Sequence, residues 1–258
     1  MASNECAAQR REHRGRGSVA KALVAYADTV QPGSGADGRE VPCFTESVTP
    51  PAAHFHVSRL MRPPALIKPY VVSFARQVLG VADASPLYVP SLPAEGAPYN
   101  ECFPLVESHV AKYGGSVVFG WAIWERPKVI LEAEFHAIWR AHDGGVADIS
   151  PRQFSIPRIL FAEDKRRKYK GVAVDNIRKS LTNDKDVHRF LVIAAERFRL
   201  MNEGDLKHQF GEIEATPAML SNIKQGALLE QKLLQRYGPW LPEETATTHR
   251  VPLKNHVS

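Results

Sequence analysis

The stretch from Val129 to Trp139 constrains the fold more than any other segment. Its odd positions, Val129, Leu131, Ala133, Phe135, Ala137 and Trp139, are all apolar, while its even positions include Glu132, Glu134 and His136. A period of two marks a strand, because successive side chains point to opposite faces. One face is therefore core. The other carries three ionisable groups, either as a solvated sheet surface or as one wall of a cleft, and the pattern leaves both open. The preceding residues 116–125 are apolar on both faces, which suits a central strand. Arg126-Pro127-Lys128 forms the turn between the two.

Segments of helical period surround this pair of strands. Val71, Phe74, Ala75 and Val78 share one helix face, with Gly80 as a stop. Asn100 can cap a second helix that runs to about Tyr113 and stops at Gly114-Gly115. Pro104 falls in its first turn, where proline is tolerated, and Phe103, Val106, Val110 and Tyr113 form its apolar stripe. After the strand comes a loop at His142-Asp143-Gly144, then a strand over 146–149. The C-terminal third is helical: residues 186–201 end before Gly204, and Thr216-Pro217 opens a helix to Tyr237 that Gly238 stops. Leu220, Ile223, Leu229, Leu233 and Leu234 line that last helix for packing. Residues 31–64 are rich in Pro, Gly, Ser and Ala around one strand near 55–60, and residues 81–98 read as loop. No internal repeat is present. The expected organisation is a flexible basic tail (1–18), an N-terminal segment packing on the core (19–98), a core (99–162), a helical extension (163–242) and a loose tail (243–258), in an α+β class.

Composition sets limits. The 258 residues are 44% hydrophobic and 24% charged, enough to bury a sizeable core and too balanced for wholesale disorder. No apolar run approaches the length of a membrane span, so no membrane partner is expected. The apolar stretch at 19–30 is short and broken by Lys21, so it is not read as a signal peptide. Three cysteines without a CxxC pair argue against a disulfide framework and a structural zinc site, and favour a cytoplasmic compartment, with secretion left open. His54-Phe55-His56 alternates on one strand face but has no third ligand nearby, so no metal and no organic cofactor is expected. The net charge of +5 concentrates in Arg10, Arg11, Arg14 and Arg16 and in the run Lys165, Arg166, Arg167, Lys168 and Lys170. Both read as solvated segments. No nucleic-acid-binding motif accompanies them, so nucleic acid is not an expected partner.

The chemistry centres on Cys102, His136 and Asp148. A two-residue turn at Asp143-Gly144 would put His136 and Asp148 on opposite faces. A three-residue loop over His142, Asp143 and Gly144 instead sets Ile138 opposite Asp148 and makes His136 its diagonal neighbour on the same face. Cys102 opens the helix that precedes the strands, where free N–H groups and the helix dipole favour a thiolate. A thiol beside an imidazole that a carboxylate orients is the arrangement nucleophilic catalysis needs. His142 has the same parity as His136 but sits in the loop. Glu134 shares the His136 face as a tuning or substrate-binding group. Cys6 lies in the tail, and Cys43 lacks a helix start.

These residues resemble the transglutaminase-like core. The resemblance rests on Cys102 at a helix start followed by Lys112-Tyr113-Gly114-Gly115 and Val117-Val118-Phe119-Gly120-Trp121. It rests more sharply on His136-Ala137-Ile138-Trp139 followed by Gly144-Gly145-Val146-Ala147-Asp148-Ile149-Ser150-Pro151. It spans residues 95–155. It implies a papain-like fold, a nucleophile helix packed on an antiparallel sheet, with Cys102 as nucleophile, His136 as base and Asp148 as orienter. The chain departs from the family pattern in lacking an arginine after the helix and a tryptophan before Cys102. Asn100 or Tyr99 is then the expected oxyanion donor beside the Cys102 N–H, with Glu134 and Trp121 as further oxyanion or substrate-binding residues. The implied activity is acyl transfer on an amide of a protein, peptide or small molecule through a Cys102 thioester, giving hydrolysis, deamidation or, with an amine acceptor, transamidation. The rival reading is a catalytically inactive scaffold of the same fold that binds protein or nucleic acid.

Overall fold

The computed structural model describes residues 21–24, 61–99, 101–152, 155–208 and 211–238, with backbone alone for 21–24 and 211–213. Its centre is the expected antiparallel pair, β3 (Ser116–Arg126) and β4 (Ile130–Arg140), in register from Ser116↔Arg140 to Arg126↔Ile130. Lys128 takes a left-handed conformation (φ 63°) in the turn that joins them. Outside β3 lies β6 (Arg158–Glu163), and outside β6 lies β2 (Leu87–Pro90), both antiparallel to their neighbours. The β2 strand falls where the sequence reads as loop. Pro86 and Pro90 bracket its few β-forming residues, and proline is accommodated at strand ends and edges. The far edge of β4 holds two short strands, β5 (Val146–Ala147) at one end and β7 (Ile177–Ser180) at the other. Hydrogen bonds from Asp148 N–H to the Pro90 carbonyl and from Leu92 N–H to the Asp148 carbonyl tie β5 back to β2, so the sheet curls round to meet itself.

Both faces of β4 are buried, which corrects the alternative of a solvated even-numbered face. Odd residues Leu131, Ala133, Phe135 and Ala137 pack with Trp121 and Ile123 of β3 beneath two helices, α1 (Pro69–Leu79) and α2 (Cys102–Tyr113). Even residues Ile130 and Ile138 join Val118, Ala122, Trp124, Ile159 and Phe161 in a second core. That core is closed by α3 (Lys185–Met201) through Val187, Phe190 and Ile193, and by α4 (Pro217–Tyr237) through Leu229 and Leu233. The C-terminal helices are thus part of the same packed body as the sheet. Segment 163–242 is not helical throughout, since β7 extends the sheet and β8 (Gly211–Glu214) pairs in parallel with β1 (Lys21–Val24). The strand expected near 55–60, His54 and His56, Cys6, Cys43 and the basic N-terminal run lie outside the described residues. The fold is α+β, and among the described residues no helix is long and apolar enough to cross a membrane.

Helix ends follow the local chemistry. Gly80 caps α1 in the left-handed region (φ 63°), and Thr216 accepts the Met219 N–H at the start of α4. At α2 the cap is Glu101 rather than Asn100, without a side-chain hydrogen bond.

Candidate functional site

The loop after β4 has three residues. Ala141 N–H donates to the Gly145 carbonyl at 2.8 Å, enclosing His142, Asp143 and Gly144, and Gly144 supplies the positive φ of 88°. Trp139 therefore faces Ala147, Ile138 falls opposite Asp148, and His136 is the diagonal neighbour on the same face. His136 Nε2 lies 2.9 Å from Asp148 Oδ1, with both side chains buried. A carboxylate can only accept, so this contact assigns the proton to Nε2 and leaves Nδ1 as the free ring nitrogen. Nδ1 is itself buried and has no hydrogen-bond partner at full bonding geometry among the described residues.

Cys102 approaches from the other side of the sheet. It starts α2 and packs in the core of the odd-numbered face, yet its thiol acts on the His136 ring both by charge and as a hydrogen-bonding group. The route is topological. One edge of β4 is covered along its length by β3, whereas the other is paired only at Ile130–Ala133 by β7 and at Trp139–Arg140 by β5. Among the described residues, positions 134–138 have no strand partner on that second edge. The unpaired stretch is centred on His136, and there the helix start meets the imidazole.

Asp148 is held by more than histidine. Its Oδ1 also accepts the Ser150 N–H at 3.1 Å, and its Oδ2 accepts Arg152 Nη2 at 3.0 Å. The Arg152 guanidinium stacks over the Trp124 ring at 4.7 Å and lies 3.8 Å from Glu134 Oε2, which itself accepts the Trp124 indole N–H at 3.0 Å. Glu134 thus shares the His136 face and reaches Asp148 through Arg152. Burial alone would lower the His136 pKa, but the Asp148 carboxylate, and after it Cys102, push it up to about 10. Burial would likewise raise Asp148, but the His136 charge, followed by Arg152, holds it well below the usual carboxylate range. The site therefore favours an imidazolium against a carboxylate.

Tyr99 is exposed in the loop before α2, and Asn100 lies outside the described residues. Trp121 sits on the α2 side of the sheet and donates its indole N–H to Asp164 at 3.3 Å, so it has no donor to offer an oxyanion. His142 accepts the Gly115 N–H at 3.0 Å and ties its loop to the end of α2. Glu132 is paired with Arg178 at 2.9 Å and accepts from Asn176. Among the described residues no group of three His, Cys, Asp or Glu could hold a metal ion.

Arg152 and Ser150 hold Asp148 as well, and neither follows from the strand alternation. The signal lies in Asp148-Ile149-Ser150-Pro151-Arg152: an Asp two residues before a backbone N–H favours an Asx turn, and an arginine four residues on can reach back to the same carboxylate. The fold and this site define an α+β protein with a buried imidazole–carboxylate pair open to a thiol at a helix start. The chain matches no protein-family model, no curated protein and no solved structure.

Proposed function

We propose that the chain is a thiol-dependent acyl-transfer enzyme with a transglutaminase-like, papain-like core, acting on an amide through a Cys102 thioester. One observation carries this reading: His136 has one ring nitrogen held by Asp148 and the other left open, with the Cys102 thiol as the group acting on it. The proton shared by Cys102 and His136 rests on the imidazole, and the sulfur attacks the amide carbonyl. The first N–H groups of α2 have no intrahelical acceptor and would receive the oxyanion, with Asn100 or Tyr99 proposed as a second donor. The tetrahedral intermediate collapses as His136 protonates the leaving amine, giving a thioester. Water or an amine then attacks, His136 takes the incoming proton, and the thiol is released with the acid or the new amide.

Competitive labelling with iodoacetamide near neutral pH, read by peptide mass spectrometry, tests the assignment. Cys102 should react at least about tenfold faster than Cys6 and Cys43, and His136→Gln should abolish that advantage. Slower labelling of Cys102 than of the other two cysteines would turn the reading over to the non-enzymatic scaffold. Incubating the protein with a cell extract and mapping acyl adducts on Cys102 would then identify the substrate.

A further inference from the structure

The basic run Lys165-Arg166-Arg167-Lys168-Tyr169-Lys170 is not a free loop. Asp164, buried just before it, accepts the Trp121 indole N–H at 3.3 Å and the Arg166 backbone N–H at 3.1 Å, which pins the turn to the sheet. Tyr169 stacks on Phe103 with ring centroids 4.1 Å apart and planes 13° from parallel. Phe103 is the neighbour of Cys102 in α2, and the Cys102 charge acts on the Tyr169 hydroxyl. The Arg167 guanidinium lies 5.3 Å from the Trp121 ring and 5.6 Å from the Phe135 ring, and Lys168 Nζ lies 5.3 Å from Phe119. Phe103 in turn packs against Phe119 and Phe135. One aromatic layer therefore separates these cations from the start of α2.

The local charge balance is one-sided. Five cationic side chains face three carboxylates. Glu163 is committed to Arg140 at 2.8 Å, Asp164 is shared by Arg166 at 3.9 Å and Arg167 at 4.0 Å, and Glu107 acts on Tyr169 from α2. Among the described residues Lys165, Lys168 and Lys170 make no ion pair. Aromatic faces hold the undersides of Arg167 and Lys168 while their outer N–H groups stay exposed to solvent. A pinned cationic turn beside a nucleophile raises the local concentration of anions.

We propose that this turn selects the substrate, favouring acyl groups that carry a carboxylate close to the reacting carbonyl. The inference rests on Cys102 being the nucleophile and deepens that reading by naming the charge of its acyl donor.

Alkylation of Cys102 by iodoacetate, an anion, and by iodoacetamide, its neutral isostere, separates the two ideas. Both reagents undergo the same displacement of iodide by sulfur, so the ratio of their rates at Cys102 reports the potential at the sulfur and cancels changes in thiol ionisation. In the full-length protein at low salt the ratio should favour iodoacetate relative to free cysteine. It should drop roughly three- to tenfold in Arg167→Gln/Lys168→Gln and move the same way on raising the salt to 1 M. Lys168→Gln/Lys170→Gln, which leaves Arg167 on its rings, should give a smaller drop in the same direction and serves if the first variant folds poorly. A ratio unchanged in both variants while Cys102 is alkylated by either reagent overturns the selectivity and leaves the nucleophile standing. No preferential alkylation of Cys102 by either reagent overturns both.

Discussion

Asp148 accepts His136 on one carboxylate oxygen and Arg152 on the other, at 2.9 and 3.0 Å, with no exposed surface of its own. A single buried charge thus serves an imidazole and a guanidinium at once. Asp148→Asn keeps shape and hydrogen bonding, which makes it the milder substitution for activity. Arg152 makes it a costly one for stability. Neutralising Asp148 leaves the largely buried Arg152 with Glu134, 3.8 Å away, as its remaining carboxylate among the described residues, and breaking a buried pair by removing one partner is costly. Asp148→Asn should lower unfolding stability by about 3–5 kcal/mol, measured by urea denaturation. Adding Arg152→Met to it should recover part of that loss, a non-additivity that two independent sites would not show.

Cys102→Ala should be the benign member of the set. The thiol is buried at a helix start, its loss removes little volume, and the Asp148 contact that holds His136 does not depend on it. A cost of about 1–2 kcal/mol is expected, with loss of all thioester formation. Comparing the melting temperature with turnover separates the two effects. In a working triad, Cys102→Ala, His136→Gln and the double variant should lose nearly the same activity, because the residues act as one unit.

Gly120 stands directly across β3–β4 from His136, and its lack of a side chain is structural. A Cβ there would lie 2.3 Å from the Ala162 carbonyl oxygen and 2.5 Å from the Phe161 ring. Gly120→Ala must therefore push β6 outward, at a cost of about 2–4 kcal/mol. Gly144→Ala meets nothing within 4 Å and carries only the strain of its positive φ, so about 1 kcal/mol is expected. Equal losses in the two variants by chemical denaturation would show that Gly120 is not tightly packed.

The alternation of β4 and the helix that starts at Cys102 are readable from residue order, because each depends on local periodicity or capping chemistry. Gly144 suits a two-residue turn as well as a three-residue loop, so residue order allows the His136–Asp148 pair without fixing it. What stayed illegible depends on contacts distant in sequence. Burial of the even-numbered face comes from Val187, Phe190, Leu229 and Leu233, on helices that follow the strand by many residues. The crossing of Cys102 to the His136 face depends on β5 and β7 covering β4 only in part. Arg152 is a charged residue that local patterning assigns to the surface, and only the fold of the Asp148 turn brings it inside.

The C-terminal helices should not be separable from the sheet. Leu229 and Leu233 complete the core above Trp124 and Ile130, and Arg126 at the end of β3 donates to the carbonyls of Tyr237 and Gly238. Leu233→Ala should cost about 2–4 kcal/mol. Truncation after Gly204 should expose Val187, Phe190 and Ile193 and yield an aggregation-prone chain, read by soluble yield and light scattering. A truncated protein that stays monomeric and melts at the full-length temperature would make the helices an independent module.

The pH dependence of stability should carry the mark of His136. Its folded pKa is raised to about 10 against an ordinary value of 6.5. A raised pKa in the folded state means that folding takes up protons. The stabilisation is therefore complete below about pH 6.5 and disappears as the pH rises through about 10. Asp148 behaves oppositely: its depressed pKa contributes stability above the ordinary carboxylate range, which is lost only in strong acid. Between pH 6.5 and 10 the Asp148 carboxylate is constant while the His136 imidazole changes. The stability gap between the natural chain and His136→Gln should be largest near pH 6 and shrink toward pH 10, by up to about 1.4 kcal/mol per unit across that window. Denaturation of both proteins at half-unit steps measures it. A gap that stays flat from pH 6 to 10 would mean that the ring is neutral throughout, and the imidazolium–carboxylate pair would then have to be withdrawn.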